Sequence, residues 1–459
     1  MRYVNTVRLL LTIFISFCLL VSAKALGPHE VLVLANEASL RSVAVAKEFC
    51  RLRSVPPVNL VRLRLPAAVT NAPYSISPED FTTMIWRPAI KAMRDRGLDD
   101  QILAWVYSVD FPVSVKTSPP VSIQGITFMR NRVPEAEKIR GGTYLSPLFS
   151  GPSNPGSTGY CSQTFDSFKE WLGPDMPLPS FMLGFAGVRG NSIVEIVACL
   201  ERGAACDGTR PTGTVYFVVD GDVRSRCREW QYPAAVKELT ALGCHAVITP
   251  VLPARCRDVL GLMAGMAEVK PESVGVFLPG AMAEHLTSAS AVFDSPNQTK
   301  LTAWIRAGVT ASCGAVTEPY ALWMKFPHAR FYVHYASGCT LIESFFQAVR
   351  CPLQILAVGD PLANPWAPRD RLLLKGLGET SREGVLQLRA EPASDALRYY
   401  RRFCFLLDGK KIADGPSLVL DTRKLAPGVH TVRAVAATVG LVRNQIFTEE
   451  TLHIGQISR

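Results

Sequence analysis

Four short stretches of the 459-residue chain set chemically capable side chains at or just beyond the end of an apolar run. The run Val274 to Leu278 leads into Pro279-Gly280-Ala281-Met282-Ala283-Glu284-His285-Leu286-Thr287-Ser288, and the run Val309 to Cys313 ends on a cysteine. An imidazole after one strand and a thiol at the end of the next is what a cysteine hydrolase needs. His285 would take the proton of Cys313, and the resulting thiolate would attack a carbonyl. That chemistry requires the two side chains within about 4 Å of each other. The competing reading makes Cys313 a buried strand-end residue and His285 a hydrogen-bonded loop residue. Ser288, a few residues on, adds a hydroxyl. Glu318, in Val316-Thr317-Glu318-Pro319-Tyr320, places a carboxylate near the same sheet edge. Asp220-Gly221-Asp222 follows the run Thr214 to Val219 and offers two oxygen donors for a hard cation. With Glu318 it would make a metal-dependent hydrolase; alone it reads as an Asp-Gly turn. Asp360, in Gly359-Asp360-Pro361-Leu362, can cap a turn while the proline stops the strand. No stretch carries a cofactor fingerprint, and no cofactor is expected.

Ligands of an open parallel sheet bind beyond the carboxyl ends of its strands, which is why these positions matter. The strands are legible as short Val/Ile/Leu-rich runs that alternate with segments of helical period, the pattern of a parallel sheet covered on both faces. Eight are predicted: Val31 to Ala35, Leu60 to Leu65, Ile102 to Val109, Thr214 to Val219, His245 to Val251, Val274 to Leu278, Val309 to Cys313 and Leu353 to Val358. Helix starts announce themselves by capping. Ser77-Pro78-Glu79-Asp80 sets a serine before a proline at the first helical position. Ser192 with Glu195, and Thr340 with Glu343, fit the capping box. Behind the latter, Ile342, Phe345, Phe346 and Val349 share one face and are expected against the sheet.

Two regions break the alternation. Residues 111–180 are rich in Pro, Gly and Ser and read as an insertion or long loop. After Trp366 helical periodicity stops. Phe403 to Leu407, the turn Asp408-Gly409, Leu418 to Leu420, and Val429 to Val435 after Pro427-Gly428 describe strands and hairpin turns. The expected organisation is an α/β domain over 26–368, mostly parallel and doubly wound in a caspase-like or flavodoxin-like manner, followed by an immunoglobulin-like β-sandwich over 372–459.

The N-terminus carries Arg2 and Arg8, an apolar run from Leu9 to Val21 and then Ala23-Lys24-Ala25, which reads as a signal peptide of 25 residues cut after Ala25. The run is too short and too interrupted for a spanning helix, so no membrane span is expected after cleavage. The product is exported, periplasmic or extracellular. The formal net charge of +10 falls to +7 once Arg2, Arg8 and Lys24 are removed. The excess is scattered, with small clusters at Arg62/Arg64, Arg224/Arg226/Arg228 and Arg398/Arg401/Arg402 and no interleaved aromatics. A solvated basic face is expected, with no nucleic-acid partner. Eleven cysteines follow the signal peptide and none forms Cys-x-x-Cys. Cys50, Cys199 and Cys404 read as small core residues, and an oxidising compartment would allow some of the eleven to pair.

Taken as a set, Val31-Leu32-Val33-Leu34-Ala35-Asn36 with the helix to Arg53, Pro279-Gly280-Ala281, His285-Leu286-Thr287-Ser288, Gly308 to Tyr320, Lys325-Phe326-Pro327, Tyr335 to Glu343, and Gly359-Asp360-Pro361-Leu362 resemble an uncharacterised family of secreted bacterial proteins that co-occurs with exosortase sorting systems. The resemblance implies an exported protein with an envelope or extracellular partner. The strand pattern is also similar to the caspase-like domain of gingipain-type peptidases, which carry His-Gly after one core strand and cysteine after the next. Here leucine follows His285.

Overall fold

The computed structural model describes residues 25–377, 384–393 and 399–455. The predicted signal peptide, Ala25 apart, lies outside them. Ten strands form the large sheet: β1 Val31–Asn36, β2 Leu60–Leu63, β3 Ala104–Tyr107, β4 Ser180–Met182, β5 Thr214–Val218, β6 His245–Thr249, β7 Cys256–Gly265, β8 Gly275–Leu286, β9 Ala311–Ala315 and β10 Ile355–Gly359. Their order is β2-β1-β3-β4-β10-β9-β8-β7-β5-β6. The block β2-β1-β3-β4 is internally parallel. So is the block β9-β8-β7-β5-β6. Between them, β10 is antiparallel to β9 and joins β4 at one residue pair, Met182 with Val358. The segments that follow β4 and β8 meet: Arg189 donates to the Phe293 carbonyl, and the Phe185 and Phe293 rings stack at 3.7 Å. Both blocks therefore open their carboxyl ends on the same edge.

Seven helices matter below: α1 Leu40–Arg53, α2 Ile123–Phe128, α3 Ile193–Ala205, α4 Tyr232–Ala241, α5 Leu301–Ala307, α6 Phe331–Ala336 and α7 Leu341–Ala348. On one face α1 packs on α3 and α3 on α5; on the other, α4 packs on α6 and α6 on α7. The α2 ring Phe128 meets Phe346 of α7 at 4.6 Å. The sheet is buried from both sides, which is why β1 and β10 read as unbroken apolar runs. The predicted caps are in place at Ser77, Ser192 and Thr340, and Ile342, Phe345, Phe346 and Val349 are buried.

The sequence reading needs three corrections. First, β4 and β7 were not expected. The former has three residues and begins on the last residue of the Pro/Gly-rich region. The latter is broken by Gly261, whose bare α-carbon admits the Tyr332 ring; a Cβ there would stand 2.4 Å from Cε1. Second, β8 does not stop at Leu278. A register shift in its pairing with β7, from Val259↔Phe277 to Gly261↔Met282, absorbs Pro279-Gly280, and the strand runs on to Leu286. Third, residues 111–180, read as an insertion or long loop, hold regular elements: α2 and two further helices at Ala136–Gly141 and Phe165–Leu172, with β4 beginning at Ser180. α2 is buried along its whole length, with Gly125 lying against the Leu353 backbone.

Beyond residue 371 all regular strands are antiparallel. β11 Leu372–Lys375, β12 Val385–Pro392 and β15 Ser417–Asp421 form one sheet, and β13 Tyr400–Leu407, β14 Lys410–Asp414, β16 Gly428–Thr438 and β17 Gln445–Ile454 another. Leu372, Leu386, Leu388 and Leu420 of the first share an apolar core with Tyr400, Phe405, Val432, Ala434 and Ile446 of the second. The hairpin Asp408-Gly409 has φ of +51° and +82°, as a two-residue turn of mirror-image type requires. A Cβ on Gly409 would clash with Pro56, so this tip presses on the α/β domain.

Candidate functional site

The carboxyl edge gathers the segments that follow β5, β7, β8 and β9, and most of the sequence-predicted residues fall near it. His285 and Cys313 do not form a pair. Glu284 stands directly opposite Cys313 across β8 and β9. Side chains alternate along a strand, so His285 projects to the other face from Cys313. Their surroundings agree. The His285 ring packs on Trp304 of α5 at 5.8 Å, and its Nε2 is 2.9 Å from the Met266 carbonyl. Cys313 instead feels the charges of Glu284 and Arg228 and is itself felt by Tyr332 of α6. Burial pushes the Cys313 thiol well above its usual range and lowers His285 to about 4. The thiol is not a thiolate and the imidazole is not within reach of it.

Ser288 and Glu318 do meet. The Ser288 hydroxyl donates to Glu318 Oε1 at 3.1 Å, and the same oxygen accepts the Tyr320 N–H at 2.7 Å. Tyr320 has φ of +59° and an exposed ring that lies 5.7 Å from Lys325 Nζ. Burial lowers Lys325 to about 8, and its ammonium is held by the Arg140 carbonyl at 2.7 Å. This arrangement fixes the loop after β9; its hydroxyl–carboxylate contact brings in no imidazole or thiol.

Asp220 and Asp222 build a turn. Asp220 Oδ1 accepts the Asp222 N–H at 3.2 Å, and Asp222 caps the short helix Val223–Arg226 through the Arg224 N–H at 2.9 Å and pairs with the Arg224 guanidinium. No group of three His, Cys, Asp or Glu able to hold a metal ion exists among the described residues, so the metal-hydrolase arrangement with Glu318 is not assembled. Asp360 belongs to the opposite edge. Its N–H donates to the Thr310 carbonyl at the start of β9, whereas Glu318 follows the end of that strand. There Asp360 pairs with the fully buried Arg53, which also reaches Asp207 at 2.5 Å.

Two features escaped the sequence reading. Arg228, grouped there with a solvated basic cluster, is fully buried and paired with Glu284; burial raises that carboxyl to about 7 against the pull of Arg228. Nothing in the spacing of Arg224, Arg226 and Arg228 separates the one that turns inward. In the 150–163 segment, the Ser162 hydroxyl stands 2.9 Å from His334 Nδ1 on α6, but His334 Nε2 has no partner among the described residues and so finds no orienting acid among them. The eleven cysteines from Cys50 to Cys404 are all free thiols in this structure, and Cys161 is exposed. The chain matches no family model and no curated protein.

Proposed function

We propose that the chain is an exported, non-peptidase protein with a caspase-like α/β domain and a C-terminal immunoglobulin-like β-sandwich, acting at the cell envelope in binding or assembly. The strand order β6-β5-β7-β8-β9-β10, with the last strand reversed, supports the caspase-like reading of the second block. The observation that carries the non-peptidase reading is the separation of His285 and Cys313 on the two faces of the sheet. Peptidases of that type need a histidine beyond one strand and a cysteine beyond the next. Here β7 runs into Met266-Ala267, β8 into Thr287-Ser288 and β9 into Val316-Thr317, while His285 and Cys313 lie within strands.

An iodoacetamide-type probe tests this on the native protein, with modified sites mapped by mass spectrometry. Cys161 is expected to label and Cys313 to remain unlabelled until the chain unfolds. Labelling of native Cys313, together with a peptide-hydrolysing activity that Cys313→Ala abolishes, would sink the reading.

A further inference from the structure

At the amino edge of the second block, the starts of β5 and β6 and the ends of α4 and α6 wall an open cavity of about 620 Å³. That volume is in the range of sites that hold small organic molecules. Its apolar lining includes the half-buried Trp366, the exposed Leu242 just beyond α4, and Ala336 at the end of α6. Its basic side chains are Arg210 and His245, and no aspartate or glutamate lines it among the described residues. Backbone bonds tie the walls together. The Gly208 N–H donates to the Asn364 carbonyl and the Arg210 N–H to the Pro365 carbonyl, each at 2.9 Å. The Tyr335 ring meets Trp366 at 5.3 Å, close to perpendicular, and holds the indole from behind. Arg210, at φ of +49°, therefore starts from a fixed point beside Trp366, and its guanidinium forms no ion pair among the described residues.

His245 is oriented by side chains from two neighbouring strands. Thr214 and His245 open β5 and β6 and stand directly opposite each other, and Asp258 lies near the start of β7. The buried Thr214 hydroxyl donates its single proton to Asp258 Oδ2 at 2.7 Å. Toward His245 Nδ1, 3.0 Å away, that oxygen can only accept, so Nδ1 carries the proton. The nitrogen left over is Nε2, which accepts a hydrogen bond in the neutral ring and donates one in the imidazolium. We propose that the cavity binds a small organic anion, a carboxylate or phosphate on a flat apolar body. Arg210 and His245 take the anionic head, and Trp366 with Leu242 takes the body. A guanidinium presents a planar fork of donors that suits carboxylate and phosphate alike, and no lining carboxylate competes for it. Thr214 and Asp258 are positioning residues that act through His245. Binding there does not require the envelope role proposed above.

Fluorine NMR of the purified protein tests the site with two probes, para-fluorobenzoate and para-fluorophenyl phosphate, and with neutral para-fluorobenzamide as the matched control. At least one anion is expected to show saturable line broadening, and whichever binds identifies the head group. The amide is expected to bind about tenfold more weakly, the equivalent of one hydrogen bond to a charged group. Arg210→Gln and His245→Gln should each weaken the anion by a similar factor and leave the melting temperature unchanged, because both side chains are exposed. Thr214→Val should weaken binding as His245→Gln does, and Thr214→Ser should restore it. A merely structural hydroxyl would shift melting and leave the affinity of the folded protein alone. Should Thr214→Val fail to fold, the two exposed substitutions decide. Equal binding of anion and amide, an affinity unmoved in Arg210→Gln and His245→Gln, or no saturable binding of either anion at millimolar concentration overturns the proposal.

Discussion

The two edges of the large sheet hold their ionisable groups in opposite ways. At the carboxyl edge, Asp222, Arg224, Ser288 and Glu318 are half or more exposed to water or held by local turns, and each bond fixes a loop within a few residues of itself or joins two neighbouring loops. At the amino edge, Arg53, Asp360 and Glu343 are buried and Glu30 is half-buried, and each has a partner from a distant part of the chain. The general rule that ligands of such sheets sit beyond the strand carboxyl ends directs attention to the first edge. Buried ion pairs occur at both, as Arg228 with Glu284 at the first and Arg53 with Asp360 at the second, but only at the second do they join parts of the chain hundreds of residues apart. A water-exposed carboxylate gains little from a partner, whereas a buried one dominates its surroundings because the low-dielectric interior leaves nothing else to solvate it.

The sharpest way to break this comparison is to remove the shared cation at the amino edge. Arg53→Met leaves Asp207 and Asp360 in place without it and is expected to destabilise the fold by about 3–5 kcal/mol in denaturant unfolding. A loss no greater than that of an exposed ion pair would mean that the amino edge is not special.

Next in size is the pH dependence of stability. The folded values of Glu284, Glu343 and Glu30 are raised, so their contribution is complete below about 4.5 and is lost as pH rises through 7 to 8. His29, His285 and His328 are lowered to about 3 or 4, so theirs is complete above about 6.5 and is lost as pH falls. Each group counts for about 1.4 kcal/mol per pH unit in its window. The melting temperature is expected to peak between about pH 4.5 and 6.5 and fall on both sides. Glu284→Gln should flatten the alkaline limb and leave the acid limb unchanged. A melting temperature that climbs steadily to pH 8 contradicts these assignments.

The smallest effects belong to the carboxyl edge. Asp222→Ala removes a helix cap and should cost about 0.5–2 kcal/mol. Ser288→Ala removes one hydrogen bond at the surface and should cost no more than about 1 kcal/mol. If Ser288→Ala instead left stability intact and abolished a measured binding or catalytic activity, the carboxyl edge would become the functional one.

Much of the candidate site was legible as position and little of it as pairing. Ser288 and Glu318 were expected near one edge because each follows an apolar run, and they share a hydrogen bond. Asp360 was expected there on the same grounds and lies at the other edge, because β10 runs against β9. Sequence spacing carries no sign for strand direction. His285 was displaced for a different reason: Pro279-Gly280 ordinarily ends a strand, yet a bulge carries β8 past it. Once His285 lies inside β8, the two-residue period of the strand decides which face it takes, and Cys313 takes the other.

What the sequence by itself determined is local. Apolar runs marked eight of the ten strands, most plainly β1 and β10, because a doubly covered strand has no polar face to hide it. Hydroxyl and carboxylate at capping-box spacing marked the starts of α3 and α7, because those bonds close within one turn of helix. Only the tertiary structure decided the rest. It turned Arg228 inward while Arg226 stayed exposed. It brought Arg53 to Asp360 across 307 positions of chain. It also made Glu343, legible as a helix cap, the acceptor of the Phe165 N–H from 178 positions away. Those pairings depend on which strands become neighbours and in which direction they run, and that is set by the packing of the whole sheet.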